Sequence, residues 1–307
     1  MNSIIQNMEN NHFRIANLDI TIRFADTSVN NMTLLPSFIP FRMEETAEPL
    51  FTLTVDDATR PVKQKSLLKD FDTGNGHTLV YKLHEGGYQY IIRDVNDSNC
   101  CLLICNEDFS NCRCALNGDW CMRTFGLNNA LMLVFAFAGA AKGALLVHAS
   151  TIMKGDYGYP FIAESGTGKS THTSLWLKHI DDCSLMNDDN PVIRIEDGTP
   201  YIYGSPWSGK TPCYRNEEAP VAALVQLAQA PHNEMKKLKM TQAYPYVLAS
   251  VSGLKVLPEM MDQIYESIAQ LLELSPVYLL ECLPNLDAAQ LCAQTCSPSP
   301  CRTDKTL

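Results

Sequence analysis

One stretch, residues 161–171, restricts what this chain can fold into more than any other. Apolar residues 159–162 read as a short strand, a turn carrying Gly166 and Gly168 follows, and a helix opens at Lys169. Strand, glycine-bearing turn and helix N-terminus, in that order, are the parts of a phosphate-binding P-loop of pattern G-x-x-x-x-G-K-[ST]. Without Cβ atoms at Gly166 and Gly168, the backbone of Glu164, Ser165, Gly166, Thr167 and Gly168 can curl its N–H groups onto phosphate oxygens. The helix adds about half a positive charge at its first turn, beside Ser170 and Thr171. Lys169 has the reach of the β- and γ-phosphates, and the Ser170 hydroxyl suits Mg2+. Ala163 stands where the pattern has its first glycine, so seven of its eight positions are met. A helix-capping turn rich in Gly, Ser and Thr reads similarly in isolation; the strand before and the helix after favour nucleotide binding.

Phosphoryl transfer also requires a divalent cation and a group that orients or deprotonates the acceptor. Asp188 and Asp189 follow a strand over residues 183–186, where a metal-linked carboxylate belongs in such folds. Two adjacent acids can divide the labour, one near the metal and one taking the acceptor proton. The plainer reading is an Asp-rich turn ahead of Pro191. His148 falls in the strand expected to pair with the P-loop strand, beside the phosphates or the acceptor, although a lone histidine there is more often a core residue. Lys210 and Arg215 lie in and after a polar loop, residues 204–210, and are candidate clamps for phosphate or an anionic acceptor. Trp207, in the same loop, either stacks on a ring or packs.

Charge and cysteine usage exclude other classes. With 24 basic and 34 acidic residues the net charge is −10, and no basic stripe exists to neutralise nucleic acid or an anionic membrane. Residues 1–11 are polar and lack the features of a secretory signal, so the expectation is a cytoplasmic protein with reduced thiols. The apolar run 130–141 reaches about 18 Å as a helix, too short for a bilayer, and reads as a buried helix. The twelve cysteines include two clusters, Cys100, Cys101, Cys105, Cys112, Cys114 and Cys121, and Cys292, Cys296 and Cys301. Neither holds the paired C-x-x-C knuckles of structural zinc sites, so both read as small core or surface residues.

Residues 1–126 read as a β-rich module, with short strands at 13–15, 20–24, 50–55, 78–83, 88–93 and 101–105 separated by glycine-bearing turns. Phe38, Phe41, Tyr88 and Trp120 read as packing residues there. A second domain spans 127–296. It opens with a helix at 128–141 capped by Asn128 and Asn129, followed by a strand at 145–153, a turn, and the P-loop strand. The P-loop is thus entered from a hairpin, not from a helical crossover. Further strands are expected at 192–195, 201–203, 221–227 and 277–282, and helices at 169–180, 258–274 and 286–295. Residues 297–307 read as a flexible tail. The fold class is α+β, mixed, with largely antiparallel sheets; a homo-oligomer is compatible with this reading.

The hairpin, the run 163–170 and the triplet Asn187, Asp188, Asp189 together resemble the catalytic domain of HPr kinase/phosphorylase, which shares its P-loop fold with the phosphoenolpyruvate carboxykinases. The resemblance covers about residues 127–295 and is sharpest at the motifs. It implies ATP and Mg2+ as cofactors and a serine hydroxyl, on a protein, a peptide or free serine, as acceptor. It further implies Lys169 and Ser170 at phosphate and metal, Asp188 as general base with Asp189 beside it, and His148 in the place of a histidine preceding the P-loop. The HPr enzymes carry an acidic metal ligand in a Glu-Ile-Arg-Gly element; residues 201–204 here read Tyr-Ile-Tyr-Gly. Asp189 (with Ser170) or Glu217 is then the expected substitute at the metal. Alternatives are a nucleotide-binding regulatory module without transfer chemistry, which Ala163 and the missing acid motivate, and a phosphorylase or carboxykinase-like activity.

Overall fold

The computed structural model describes residues 8–72, 74, 76–252 and 258–297. Cys301 and the rest of the tail from 298 lie outside them. The fold is mixed α+β with several largely antiparallel sheets. Two compact units are formed, Met1–Ala144 with Gly253–Ile264, and Leu145–Ser252 with Tyr265–Leu307.

In the first unit, alternating apolar residues build a single sheet. Its strands are β1 (Glu9–Ile15), β2 (Leu18–Phe24), β3 (Arg42–Met43), β4 (Phe51–Val55), β5 (Lys65–Asp72), β6 (His77–Leu83), β7 (Tyr88–Arg93), β8 (Asn99–Cys105) and β9 (Asn111–Leu116). They are ordered β3-β1-β2-β4-β9-β8-β7-β6-β5. Pairing is antiparallel except where β4 joins β2 and β9 in parallel, a departure from a simple meander. Strands β5 and β9 escape sequence reading. β5 is an exposed edge strand, so nothing imposes an apolar alternation on it.

Helix α1 (Trp120–Ala140) covers this sheet. It starts well before Asn128, because the Asp119 side chain accepts the Met122 N–H as N-cap. Asn128 and Asn129 lie inside the helix and bond back to the carbonyls of Thr124 and Phe125. The division into units accordingly falls after this helix, between Ala144 and Leu145, and not at 126/127. At 21 residues α1 is long and apolar enough to cross a membrane by length and composition, unlike the twelve-residue run taken alone. Its apolar residues Leu127, Leu131, Val134 and Phe135 are buried, and the Phe137 ring sits 4.9 Å from Phe109. At Gly126 a Cβ would lie 2.9 Å from the Cys100 carbonyl oxygen, so only glycine permits this approach to β8. Phe38, Phe41 and Tyr88 are buried, whereas Trp120 is exposed at the helix start. All described cysteines are free thiols, and five between 100 and 114 are buried. Burial pushes the Cys105 thiol up, so it packs as a small apolar side chain.

The second unit comprises β10 (Leu145–Leu146), β11 (Ala149–Lys154), β12 (Tyr157–Ile162), α2 (Lys169–His179), β13 (Cys183–Asn187), β14 (Val192–Glu196), β15 (Thr199–Tyr203), β16 (Glu218–Pro220), β17 (Leu224–Gln229), β18 (Glu234–Lys237), α3 (Met240–Ser250), β19 (Val277–Cys282) and α5 (Leu286–Cys296). Helix α4 (Pro258–Leu274) runs into it from residues grouped with the first unit. One sheet is ordered β13-β11-β12-β17-β19-β18, the other β10-β14-β15-β16. Residues 145–153 are not one strand. The chain changes sheets at Val147 and His148, whose N–H groups go to the carbonyls of Pro191 and Ser250. Helix α3 carries Pro245 inside it, which hides it from a propensity reading. Strands β16 and β18 are too short to show a period.

The six-stranded sheet sets the position of the chemistry. β12 is antiparallel to β11, β11 is antiparallel to β13, and β12 runs parallel to β17, which runs parallel to β19. The C-terminal ends of β12, β13, β17 and β19 therefore share one edge with the start of β11. Beneath it lies a core of Tyr159, Phe161, Trp176, Val225 and Leu280.

Candidate active site

The glycine-bearing loop 163–168 follows the end of β12 and leads into α2. Gly166 (φ 81°) and Gly168 (φ 116°) take the left-handed conformation that favours glycine, and a Cβ on either would meet nothing. Their role is backbone shape, which leaves the concave side open. The Thr167 N–H closes the turn on the Glu164 carbonyl at 3.2 Å, and Gln229 of β17 donates to the Thr167 carbonyl at 3.1 Å. Lys169 folds back over the loop, its Nζ donating to the Ala163 carbonyl at 2.9 Å. Burial lowers its pKa, opposed by Asp189 and Asp188.

β13 delivers the acids through a local turn. The buried Asn187 accepts the N–H groups of Asp189 and Asn190, each at 2.9 Å, and donates to the Trp207 carbonyl at 3.0 Å. This fixes both the acid pair and the loop that crosses it. Gly209 lies on that loop, where a Cβ would come within 3.3 Å of Asp189 Cβ.

The two acids have different surroundings. Asp188 Oδ1 accepts from Ser150 Oγ at 3.0 Å and lies 3.5 Å from Ser170 Oγ; Oδ2 accepts the Thr211 N–H at 3.2 Å. Ser150 in turn accepts from Thr173 Oγ1 at 2.8 Å. Asp189 Oδ1 lies 3.3 Å from His148 Nε2, and its Oδ2 accepts from Asn190 at 2.6 Å. Burial raises the Asp189 pKa, against the pull of His148 and Lys169. Burial and the Lys169 charge lower that of His148, against the pull of Asp189. The carboxylate facing Ser170 is thus Asp188, where Asp189 was expected as the metal partner. Asp189 belongs to His148, which stands at the change of sheets and not within the strand paired to β12.

Ser170 Oγ and Asp188 Oδ1 are hard oxygen donors 3.5 Å apart, a separation at which both could hold one Mg2+. The residues present fit that ion. Lys210 and Arg215 are not brought into contact with Asp188, Asp189 or Lys169 among the described contacts. Lys210 is exposed, and Arg215 pairs with Glu217 at 3.5 Å. Trp207 is buried and packs. A second group, His232, Glu234 and Glu281, has ligand atoms within 4.8 Å of one another, but the Lys236 ammonium already bridges its two carboxylates.

Sequence reasoning misses Ser150, Thr173, Asn187 as a scaffold, and Gln229. Thr173 was accessible, since it stands three residues after Ser170 on the same helix face. Ser150 was not, because only the β11–β13 register, with a bulge after Thr151, brings it to Asp188.

No family model and no curated protein matches the chain. Among solved structures, the Hpr(Ser) kinase/phosphatase from Coxiella burnetii aligns with 48% of this chain and 90% of its own, at 12% identity and a TM-score of 0.28. At that score the likeness is weak and says nothing about activity.

Proposed function

We propose that the second unit binds a nucleoside triphosphate, ATP, with Mg2+ and transfers its γ-phosphoryl group to an alcohol oxygen, the class to which a serine hydroxyl belongs. The observation that carries this reading is the approach of Asp188 to Ser170 at 3.5 Å, directly beside a P-loop whose lysine folds over it. Bound Mg·ATP supplies the phosphoryl group and the cation that neutralises its charge.

The chain's own residues divide the remaining work. The backbone N–H groups of 164–168 and the Lys169 ammonium bind and orient the phosphates. Asp188 accepts hydrogen bonds from Ser150 and the Thr211 N–H and has the Ser170 hydroxyl 3.5 Å away, the geometry in which it would hold a cation together with Ser170. Asp189 has its proton affinity raised by burial and has His148 3.3 Å away, so Asp189 Oδ1 is the atom to receive the acceptor's proton. The base assigned to Asp188 from the motif thus passes to Asp189 in this reading. Lys169→Ala removes the only side-chain cation of the P-loop. Calorimetry with Mg·ATP should then show binding lost, and unchanged affinity would remove the premise.

A further inference from the structure

Two cavities open beside the P-loop; they share Gly166, Thr167, Leu227, Ala228 and Gln229 and differ in the rest of their linings. One, of about 720 Å³, is lined by His148, Glu164 and Ser165 together with Gln226, Tyr246 and Ser250. The other, of about 690 Å³, is lined by Gly168 and Thr171 with Gln229, Pro231 and Leu283. His148 ties the first to Asp189, the proton-accepting end of the site. Thr171 ties the second to the far side of the helix N-terminus. On the phosphotransferase reading, a polyphosphate lying over the loop would have its transferable end at the first cavity, which His148 lines, and its nucleoside end at the second.

We infer that the first cavity is the acceptor site and that it takes a small, uncharged, polyhydroxylated molecule such as a cyclic polyol or sugar; this rests on the phosphotransferase reading. Its volume is that of a small-molecule pocket. None of the residues lining it is a lysine or an arginine. An anionic acceptor needs such a clamp, and here it would enter past the Glu164 carboxylate while facing the phosphates. Hydroxyl groups instead need partners that both donate and accept, which Gln226 and Ser165 provide, while Ser250 Oγ, which donates to the Val247 carbonyl, is left as an acceptor. Gln226 is held by its Nε2 bond to the Leu227 carbonyl at 2.9 Å, so its amide is pre-oriented. Tyr246 is 40% exposed and offers a ring face against which the C–H face of a cyclic polyol packs. In the reaction the acceptor O–H bond breaks and its proton passes to Asp189 Oδ1. A new P–O ester bond forms to the acceptor oxygen as the bond to ADP breaks.

The test uses the full chain with Mg·ATP, following phosphate esters by 31P NMR and ATP affinity by calorimetry. The panel is glucose, myo-inositol and glycerol, set against the anion glycerate and the neutral serine mimic N-acetylserinamide. We expect glucose or myo-inositol to be phosphorylated with kcat/KM at least tenfold above glycerate and above N-acetylserinamide. Tyr246→Ala should raise the acceptor KM about tenfold, the worth of an aromatic contact, with kcat and ATP affinity unchanged, while Tyr246→Phe stays near wild type. Preference for glycerate or N-acetylserinamide overturns the inference. So does turnover of nothing in the panel by a protein that binds ATP. Weakened ATP binding in Tyr246→Ala with acceptor KM unchanged overturns it too, since the cavity would then hold the nucleoside. Failure of the wild-type protein to bind ATP is a different result, which removes the phosphotransferase reading beneath it.

Discussion

His172 makes the packing of α2 behind the glycine loop sensitive to acid. It sits in the first turn of α2, its backbone N–H donating to the Gly168 carbonyl at 2.9 Å. Its ring is buried edge-on to Phe161 of β12, with centroids 4.9 Å apart. Its Nε2 lies 3.1 Å from the indole N–H of Trp176, so Nε2 accepts and the ring is neutral. Burial lowers its pKa from 6.5 to about 4. Because the folded value lies below the unfolded one, the contribution to stability is full above pH 6.5 and is lost as pH falls toward 4. At 1.36 kcal/mol per pKa unit, linkage over the printed interval from 6.5 to about 4 amounts to about 3 kcal/mol when complete, and about 2 kcal/mol of it is lost between pH 7 and 5. Protonation would also set an N–H against the Trp176 N–H at the root of the P-loop helix. The perturbation is His172→Gln, which keeps an acceptor for Trp176 and does not titrate. Urea unfolding at pH 7 and pH 5, followed by tryptophan fluorescence, should show wild type losing about 2 kcal/mol more than the variant over that interval. Equal losses in the two proteins, or an NMR titration of His172 near 6.5, would refute the reasoning.

Three further outcomes follow from the site. Asp189→Asn should cut kcat by about 10²–10⁴-fold with the Mg2+ requirement unchanged, whereas Asp188→Asn should raise the Mg2+ concentration needed for half-maximal rate; a Mg2+ titration of both variants that gave the reverse would restore the roles read from the motif. The acid limb of kcat should lie above the ordinary aspartate value of 3.8, because burial raises Asp189; its loss in Asp189→Asn is checked by the pH–rate profile. Gly204→Ala should destabilise by about 1–3 kcal/mol, since the new Cβ would sit 2.0 Å from the Arg215 carbonyl oxygen, a backbone atom with little room to yield. Thermal unfolding measures this, and a wild-type midpoint would show that the loop can open there.

Much of this protein was legible locally. The glycine turn before α2, the hairpin that enters it and the Asn187, Asp188, Asp189 turn are short-range patterns, in which the residue types fix the backbone. Glycine is needed where φ is positive at 166 and 168, and an asparagine can bond the two N–H groups that follow it. The start of α1 was misplaced because two asparagines resemble a cap, and only Asp119 has the geometry to act as one. Lys210 and Arg215 were selected for charge in a polar loop, yet charge does not say where a loop side chain turns.

The sequence by itself determined that a strand, a glycine turn and a helix opening on a lysine and a serine would follow one another, with two acids one helix and one strand further on. Which acid meets Ser170 and which meets His148 was decided only by the tertiary structure. The bend that follows β13, held by Asn187, and the β11–β13 register together assign Asp188 and Asp189 to different neighbours. Burial of Asp189 itself, which no local pattern encodes, then raises its pKa against the pull of His148 and Lys169.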